Sequence, residues 1–315
     1  MFAKTFEKFS YTSVVISTLL LLGISYYYTA LEITESLFES KFINGILIFG
    51  ALILSSYSID KVTRQLTTER LNSKAYHLLL YPLIIMCYPV ELIDMRFILS
   101  SSLIWAAWIN MRVFIEISNP VRKNKRLFDA SVLLSFSSLI MVENLILLLY
   151  PIMILIASNI TRDIKHLIII FMTPLIILPT GYVLLSFLSL DNYLFSSYLF
   201  GYQLQMLDNF TLVLSTYYIP LYVVFILYII SVIIKFKRSS GYQRRILDFT
   251  GFIFIILTSL FFSMNQELTG SEFHYLSLVL VSFISQIFVK KIKSLYVNFI
   301  FIVLIATLVT FNFFI

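Results

Sequence analysis

A chain of 315 residues with 59% hydrophobic and 13% charged residues is too apolar for a soluble globular protein, in which roughly 25% of residues are charged. The net charge of +6 does not indicate a nucleic-acid partner, because the cations lie in small groups along the chain and form no single basic face. One cysteine, Cys87, excludes an internal disulfide framework. We expect an all-α polytopic membrane protein with residues 1–315 in one integral domain.

Apolar runs of the length needed to cross a bilayer, about 20 residues, follow one another along the sequence. The run 128–157 is long enough for two short spans, and we divide it at residues 141–144 because a single helix would bury Glu143 in hydrocarbon. The segment 60–74 is polar enough for a short surface helix, and Asp129 is interpreted as the N-cap of the fifth span. About eleven spans are predicted: 11–30, 43–59, 75–89, 97–117, two within 128–157, 167–188, 209–234, 247–264, 274–289 and 294–315.

The basic residues predict which side of the membrane each loop occupies. All of the 23 Lys and Arg residues except Lys41, Arg96 and Arg112 fall in every second gap between apolar runs. Cytoplasmic loops retain Lys and Arg. The pattern therefore predicts a cytoplasmic N-terminus, an outer C-terminus and a place in a bacterial inner membrane.

The gaps predicted to face outward carry carboxylates, which are the candidates for catalysis: Glu32, Glu35, Glu39, Glu91 and Glu143. Such groups could deprotonate an acceptor hydroxyl or hold a divalent cation. Asp94 and Arg96 share a turn with Glu91 and are candidates for binding substrate, since arginine binds phosphate or carboxylate through paired hydrogen bonds. A solvated polar loop, or a turn held by its own ion pair, would explain the same residues.

Arg112 is a further candidate for substrate binding, near the cytoplasmic end of the fourth span. A charge at that depth faces a cavity, pairs with another charge or extends to the interface. Glu116 lies four residues later and could be its partner. A phosphate contact is the alternative.

The residues Asn124 to Ser131, followed by an apolar hairpin broken at Glu143 and a second basic loop, resemble an uncharacterised bacterial family of multi-pass membrane proteins. The turn from Tyr88 through Glu91 to the span that contains Arg112 belongs to the same resemblance. The resemblance covers residues 71–188. It implies a multi-pass membrane fold but no particular activity.

The basic loop, short hairpin and second basic loop also resemble, more distantly, the middle of GT-C glycosyltransferases that use polyprenyl-phosphate donors. In that family the N-terminus is cytoplasmic and the catalytic acid lies in the first outer loop, which would make it Glu32, Glu35 or Glu39 here. The loop is shorter than in the family and has no adjacent pair of acids.

These observations favour an enzyme at the outer leaflet that acts on a lipid-linked substrate, with membrane lipids and a polyprenyl-phosphate-linked donor as its partners. A divalent cation is a conceivable cofactor. One alternative is a non-enzymatic subunit or scaffold of a cell-envelope complex for secretion or motility, which would bind partner proteins. The other is a transporter or lipid flippase, which would need polar residues along a path through the membrane.

Overall fold

The computed structural model describes residues 5–7, 9–30, 38, 40–66, 74–87, 94–157, 164–187, 223–224, 226–228, 271–289, 298, 301–302 and 305–306. These residues form helices and no β-strand, so the all-α prediction is confirmed for them. We number eight α-helices in chain order: α1 Tyr11–Ala30, α2 Lys41–Leu66, α3 Tyr76–Met86, α4 Met95–Glu116, α5 Pro120–Ile140, α6 Leu149–Ala157, α7 Ile164–Phe187 and α8 Ser277–Val289. Two 3-10 helices, Val142–Leu148 and Ser271–Leu276, precede α6 and α8.

The chain divides into two compact units. Unit 1 comprises Met1–Asp94, Thr211–Arg245 and Thr269–Ile315, and unit 2 comprises Met95–Phe210 and Ile246–Leu268. Helices α1, α2, α3 and α8 therefore belong to unit 1, and α4 to α7 belong to unit 2.

Four helices in the described part of the chain are long and apolar enough to cross a membrane: Tyr11–Ala30, Lys41–Arg64, Met95–Glu116 and Ile164–Phe187. Helix α3 and the segment Asn144–Ile156 are apolar but shorter. These helices support a membrane protein. The predicted spans 209–234, 247–264 and 294–315 fall largely or wholly outside the described residues, and the total of eleven stays a prediction.

Helix boundaries differ from the prediction at two places. Helix α2 continues to Leu66, so the polar residues from 60 to 66 extend a membrane helix instead of forming a separate surface helix. Helix α5 begins at Pro120, and Asn119 caps it by accepting hydrogen bonds from the backbone N–H groups of Val121 and Arg122. The interpretation of Asp129 as the cap was wrong. An asparagine followed by proline at the first helical position is a strong helix start, and it begins the helix before the basic run.

The predicted break between α5 and α6 is confirmed. Met141 has extended backbone angles, φ −141° and ψ 115°, which end α5. The 3-10 helix Val142–Leu148 then turns the chain into α6. This break divides the long apolar run between the 21-residue α5 and the 9-residue α6 and places Glu143 in the turn between them.

Helix α3 forms the core of unit 1 and is buried from Tyr76 to Ile85. Pro82 lies inside it and has no N–H to donate to the carbonyl of Leu78, four residues earlier. The Ser17 hydroxyl of α1 donates to that carbonyl at 2.8 Å. A side chain from a neighbouring helix thus satisfies the acceptor that the proline leaves, which allows α3 to remain helical.

In unit 2, α5 packs against both α4 and α7. Small residues let helices approach closely. At one end of α5, a Cβ added to Gly181 of α7 would collide with the Cδ1 atom of Leu139, so any larger residue there requires the Leu139 side chain to shift. The buried serines of α4 and α5 also allow close approach: Ser100, Ser101, Ser102, Ser131, Ser135, Ser137 and Ser138.

Candidate functional sites

Most of the predicted catalytic carboxylates lie outside the described residues: Glu32, Glu35, Glu39 and Glu91. Glu143 lies in the 3-10 helix Val142–Leu148, where its backbone is described and its side chain is not. Asp94 is buried at the end of the first segment of unit 1, and Arg96 is buried in the first turn of α4 in unit 2. The catalytic and substrate-binding roles of these groups stay predictions.

A buried hydrogen-bond network fixes the turn that contains Glu143. The Asn144 Nδ2 atom lies 2.6 Å from Ser100 Oγ and 2.9 Å from Ser137 Oγ, and the two hydroxyl oxygens are 3.0 Å apart. The same nitrogen lies 3.3 Å from the Ser137 carbonyl oxygen. All three residues are fully buried. A satisfied polar network in a low-dielectric interior rigidifies the elements that it joins.

This network brings Glu143 and Arg96 to the same end of unit 2. Ser100 lies four residues after Arg96, one helical turn along α4. Asn144 bonds to Ser100 and directly follows Glu143 in the chain. The acidic turn is therefore held against the turn of α4 that begins at Arg96. An arginine at such a place can bind a phosphate through two parallel hydrogen bonds.

Arg112 belongs to the opposite end of α4. It lies about 24 Å from Arg96 along the helix, for 16 residues at 1.5 Å each. Its Nε atom is 3.7 Å from the Glu116 carboxylate, whose side chain is half exposed. A long ion pair beside solvent contributes little to stability. Arg112 and Arg96 cannot contact the same small phosphate group.

A carboxylate–imidazole pair in unit 1, formed by the partly exposed Asp60 and the buried His77, was missed in the sequence. Asp60 Oδ1 lies 2.9 Å from His77 Nε2 and accepts a hydrogen bond from Arg64 Nε at 2.8 Å. His77 is only 1% exposed, and within the described residues its Nδ1 atom is buried with no hydrogen-bond partner. An ionised carboxylate only accepts hydrogen bonds, so Nε2 carries the proton and the Nδ1 of a neutral ring keeps a lone pair.

Sequence reasoning missed this pair because it ended the second span at residue 59, one residue before Asp60. The usable signal was the spacing of Asp60 and Arg64, which are four residues apart and pair on one face of a continuing helix. His77 is near in space through the packing of α3 against α2, which no local pattern reveals.

Across the described ranges, no group of three or more His, Cys, Asp or Glu side chains is placed to hold a metal ion. The acids predicted to hold a divalent cation fall largely outside those ranges. The chain matches no protein-family model, no curated protein and no solved structure.

Proposed function

We propose that this chain is a multi-pass membrane enzyme that transfers a sugar from a lipid-linked phosphate donor at the outer leaflet. The observation that carries the proposal is the network of Asn144, Ser100 and Ser137, which holds the Glu143 turn beside the helical turn of Arg96. A carboxylate and a guanidinium at one end of a helical unit are the groups that such a transfer needs.

In this reaction an outer carboxylate removes the proton from the acceptor hydroxyl, and the acceptor oxygen attacks the anomeric carbon of the sugar. The bond from that carbon to the phosphate oxygen breaks, and the electron pair leaves with the phosphate. Arg96 binds the phosphate and stabilises its developing charge. Glu143 directly precedes Asn144 of the network, which makes it the first candidate for this carboxylate. Glu32, Glu35, Glu39 and Glu91 are candidates for the same role or for holding a divalent cation.

The test is sugar transfer in membranes that contain the protein and a radiolabelled polyprenyl-phosphate-linked sugar. We expect Glu143→Gln and Arg96→Gln each to reduce the rate by at least about 100-fold, the usual scale for losing an acid–base group or a charge-stabilising donor. Glu116→Gln is the matched control, because it neutralises a carboxylate at the far end of α4 and should leave the rate unchanged. Full activity in Glu143→Gln combined with Glu32→Ala, Glu35→Ala, Glu39→Ala and Glu91→Ala would exclude the proposal.

Proton-coupled transport is a second candidate, favoured by the hydrogen bond between Asp60 and the buried His77. Ionisable residues within a membrane helix are costly and commonly mark proton or substrate paths. In proteoliposomes that contain a fluorescent anionic lipid, this function predicts lipid translocation driven by a pH gradient. Asp60→Asn should abolish it, and Glu7→Gln, at an exposed residue of the same unit, should not. Translocation that is absent in the unmodified protein would reject transport of that lipid.

A further inference from the structure

An apolar groove runs between α5 and α7 of unit 2. It is lined by Phe128 on α5 and by α7 side chains between residues 168 and 177, and it has a volume of about 320 Å³. Thr173, a polar member of this lining, donates its hydroxyl to the Ile169 carbonyl at 2.6 Å within its own helix. Because that hydroxyl is satisfied internally, the groove presents an apolar surface to any occupant.

The groove ends at a close contact between α5 and α7. Near the ends of the helices predicted to lie outside, Gly181 lies against the Leu139 side chain. Toward the other end Phe128 and Met172 line the groove, and both are about half exposed. The groove is therefore open at its side.

The open end of the groove is basic. On α7, Lys165 precedes Ile168, Ile169 and Met172 by three, four and seven residues, which places it on the same helical face. On α5, Lys125 precedes Phe128 by three residues. Both lysines are exposed. Helical side chains lean toward the N-terminus, so both lysines extend beyond the groove in the same direction.

The length of the groove matches one leaflet. Residues 168–177 of α7 cover about 14 Å at 1.5 Å per residue, close to half of a hydrocarbon core of about 30 Å. The end with the two lysines is the end that the positive-inside pattern assigns to the cytoplasm. Anionic lipids of the cytoplasmic leaflet attract lysines at this level.

We propose that this groove binds one anionic phospholipid of the cytoplasmic leaflet. An acyl chain lies along Phe128 and α7, and Lys125 and Lys165 bind the headgroup phosphate. A packing helix would need a groove that continues past Gly181, and there the two helices are in contact. The site is separate from the Arg96 end of unit 2 and does not depend on the proposed sugar transfer.

The experiment is native mass spectrometry of the full-length protein in detergent, titrated with dioleoylphosphatidylglycerol and, separately, with dioleoylphosphatidylcholine. We expect one phosphatidylglycerol to bind at least tenfold more tightly than phosphatidylcholine. The double variant Lys125→Gln/Lys165→Gln should weaken phosphatidylglycerol binding roughly 30-fold, the effect of removing two surface cations. Met172→Trp, which fills the groove, should weaken both lipids. The matched control is Lys61→Gln, which removes an exposed lysine of α2 in unit 1 and should change nothing.

Each outcome decides the proposal. The proposal would be overturned if the protein bound the two lipids with equal affinity. It would also be overturned if Lys61→Gln weakened phosphatidylglycerol binding as much as Lys125→Gln/Lys165→Gln does, because surface charge alone would then attract the lipid. If Met172→Trp binds both lipids as tightly as the unmodified protein does, the acyl chain does not lie in the groove. Inorganic phosphate at millimolar concentration should not displace the lipid; full displacement would identify a phosphate site without a lipid. Helical circular dichroism and the thermal midpoint of every variant establish that a loss of binding is not a loss of fold.

Discussion

Neighbouring serines in α5 have different roles, although Ser137 and Ser138 are both fully buried. Ser137 belongs to the network with Ser100 and Asn144, whereas Ser138 donates to the Leu134 carbonyl of its own helix. We predict that Ser137→Ala lowers the free energy of unfolding by about 0.6–1.7 kcal/mol, the range for hydrogen bonds between membrane helices. Ser138→Ala should change it much less. Unfolding in mixed micelles with increasing sodium dodecyl sulfate measures both.

The network also predicts coupling between its members. In a double-mutant cycle with Asn144→Leu, the losses from Ser137→Ala and Asn144→Leu should not add, because each removes the same hydrogen bond. The pair Ser138→Ala and Asn144→Leu should be additive within error. Equal losses for the two serine variants would contradict the assignment of Ser137 to the network.

The pair of Asp60 and His77 in unit 1 predicts an order of stabilities. His77→Leu leaves the Asp60 carboxylate with one buried partner missing and should cost about 1–3 kcal/mol. Arg64→Gln should cost less than about 1 kcal/mol, because the Arg64 side chain is 41% exposed and water can replace it. The double variant Asp60→Leu/His77→Leu should recover most of the loss, since apolar groups replace both partners and water can bind the partly exposed Arg64 guanidinium that loses its acceptor. A double variant less stable than His77→Leu would contradict this account.

At the scale of the element, α5 and α7 approach closely at Gly181. Gly181→Leu should destabilise the protein by about 1–3 kcal/mol, because the added side chain collides with Leu139 in packed surroundings. Gly23→Leu in α1 is the matched control, since an added Cβ at Gly23 meets no atom within 4 Å. The measurement is the midpoint of thermal unfolding in detergent. If the Gly23 variant lowers the unfolding midpoint as much as the Gly181 variant does, helix propensity or membrane insertion, not packing, determines the loss of stability.

The sequence predicted the presence of a helix more reliably than it predicted where the helix begins and ends. Residues 11–30 are predicted and observed as α1, because an apolar run bounded by polar residues fixes both ends. The start of α5 was missed because hydropathy placed it where the cations stop, whereas Asn119 and Pro120 start the helix ahead of them. Capping chemistry acts on the backbone whether the next residues are apolar or charged.

Contacts between helices were not predictable from local patterns. Pro82 shows in the sequence that the Leu78 carbonyl loses its partner, but not that Ser17 of α1 replaces it. In the same way, Asn144 could be assigned to a turn, while its bonds to Ser100 depend on how α4 packs against α5. The sequence indicated which types of residue form the candidate site. It could not indicate which of those residues contact one another.

For the whole molecule, the predicted sidedness can be tested around α5. This helix has cations in its first two turns and is not among the four helices most suited to crossing a membrane. In a Cys87→Ala background, we expect a cysteine at position 40 or 145 to react with a membrane-impermeant maleimide in intact cells. A cysteine at position 125 should react only after the cells are opened. All three positions are exposed in the structure.

The three positions together separate an inverted protein from a wrong number of crossings. Positions 40 and 125 flank three predicted spans, and positions 125 and 145 flank one, so each pair must lie on opposite sides. If 125 reacts in intact cells while 40 and 145 do not, the chain is inverted, and the Arg96 end faces the cytoplasm while the lipid groove faces outward. If 125 and 145 react alike, α5 does not cross. Glu143 and Lys125 then lie on the same side, and sugar transfer at the outer leaflet and lipid binding at the inner leaflet cannot both be correct.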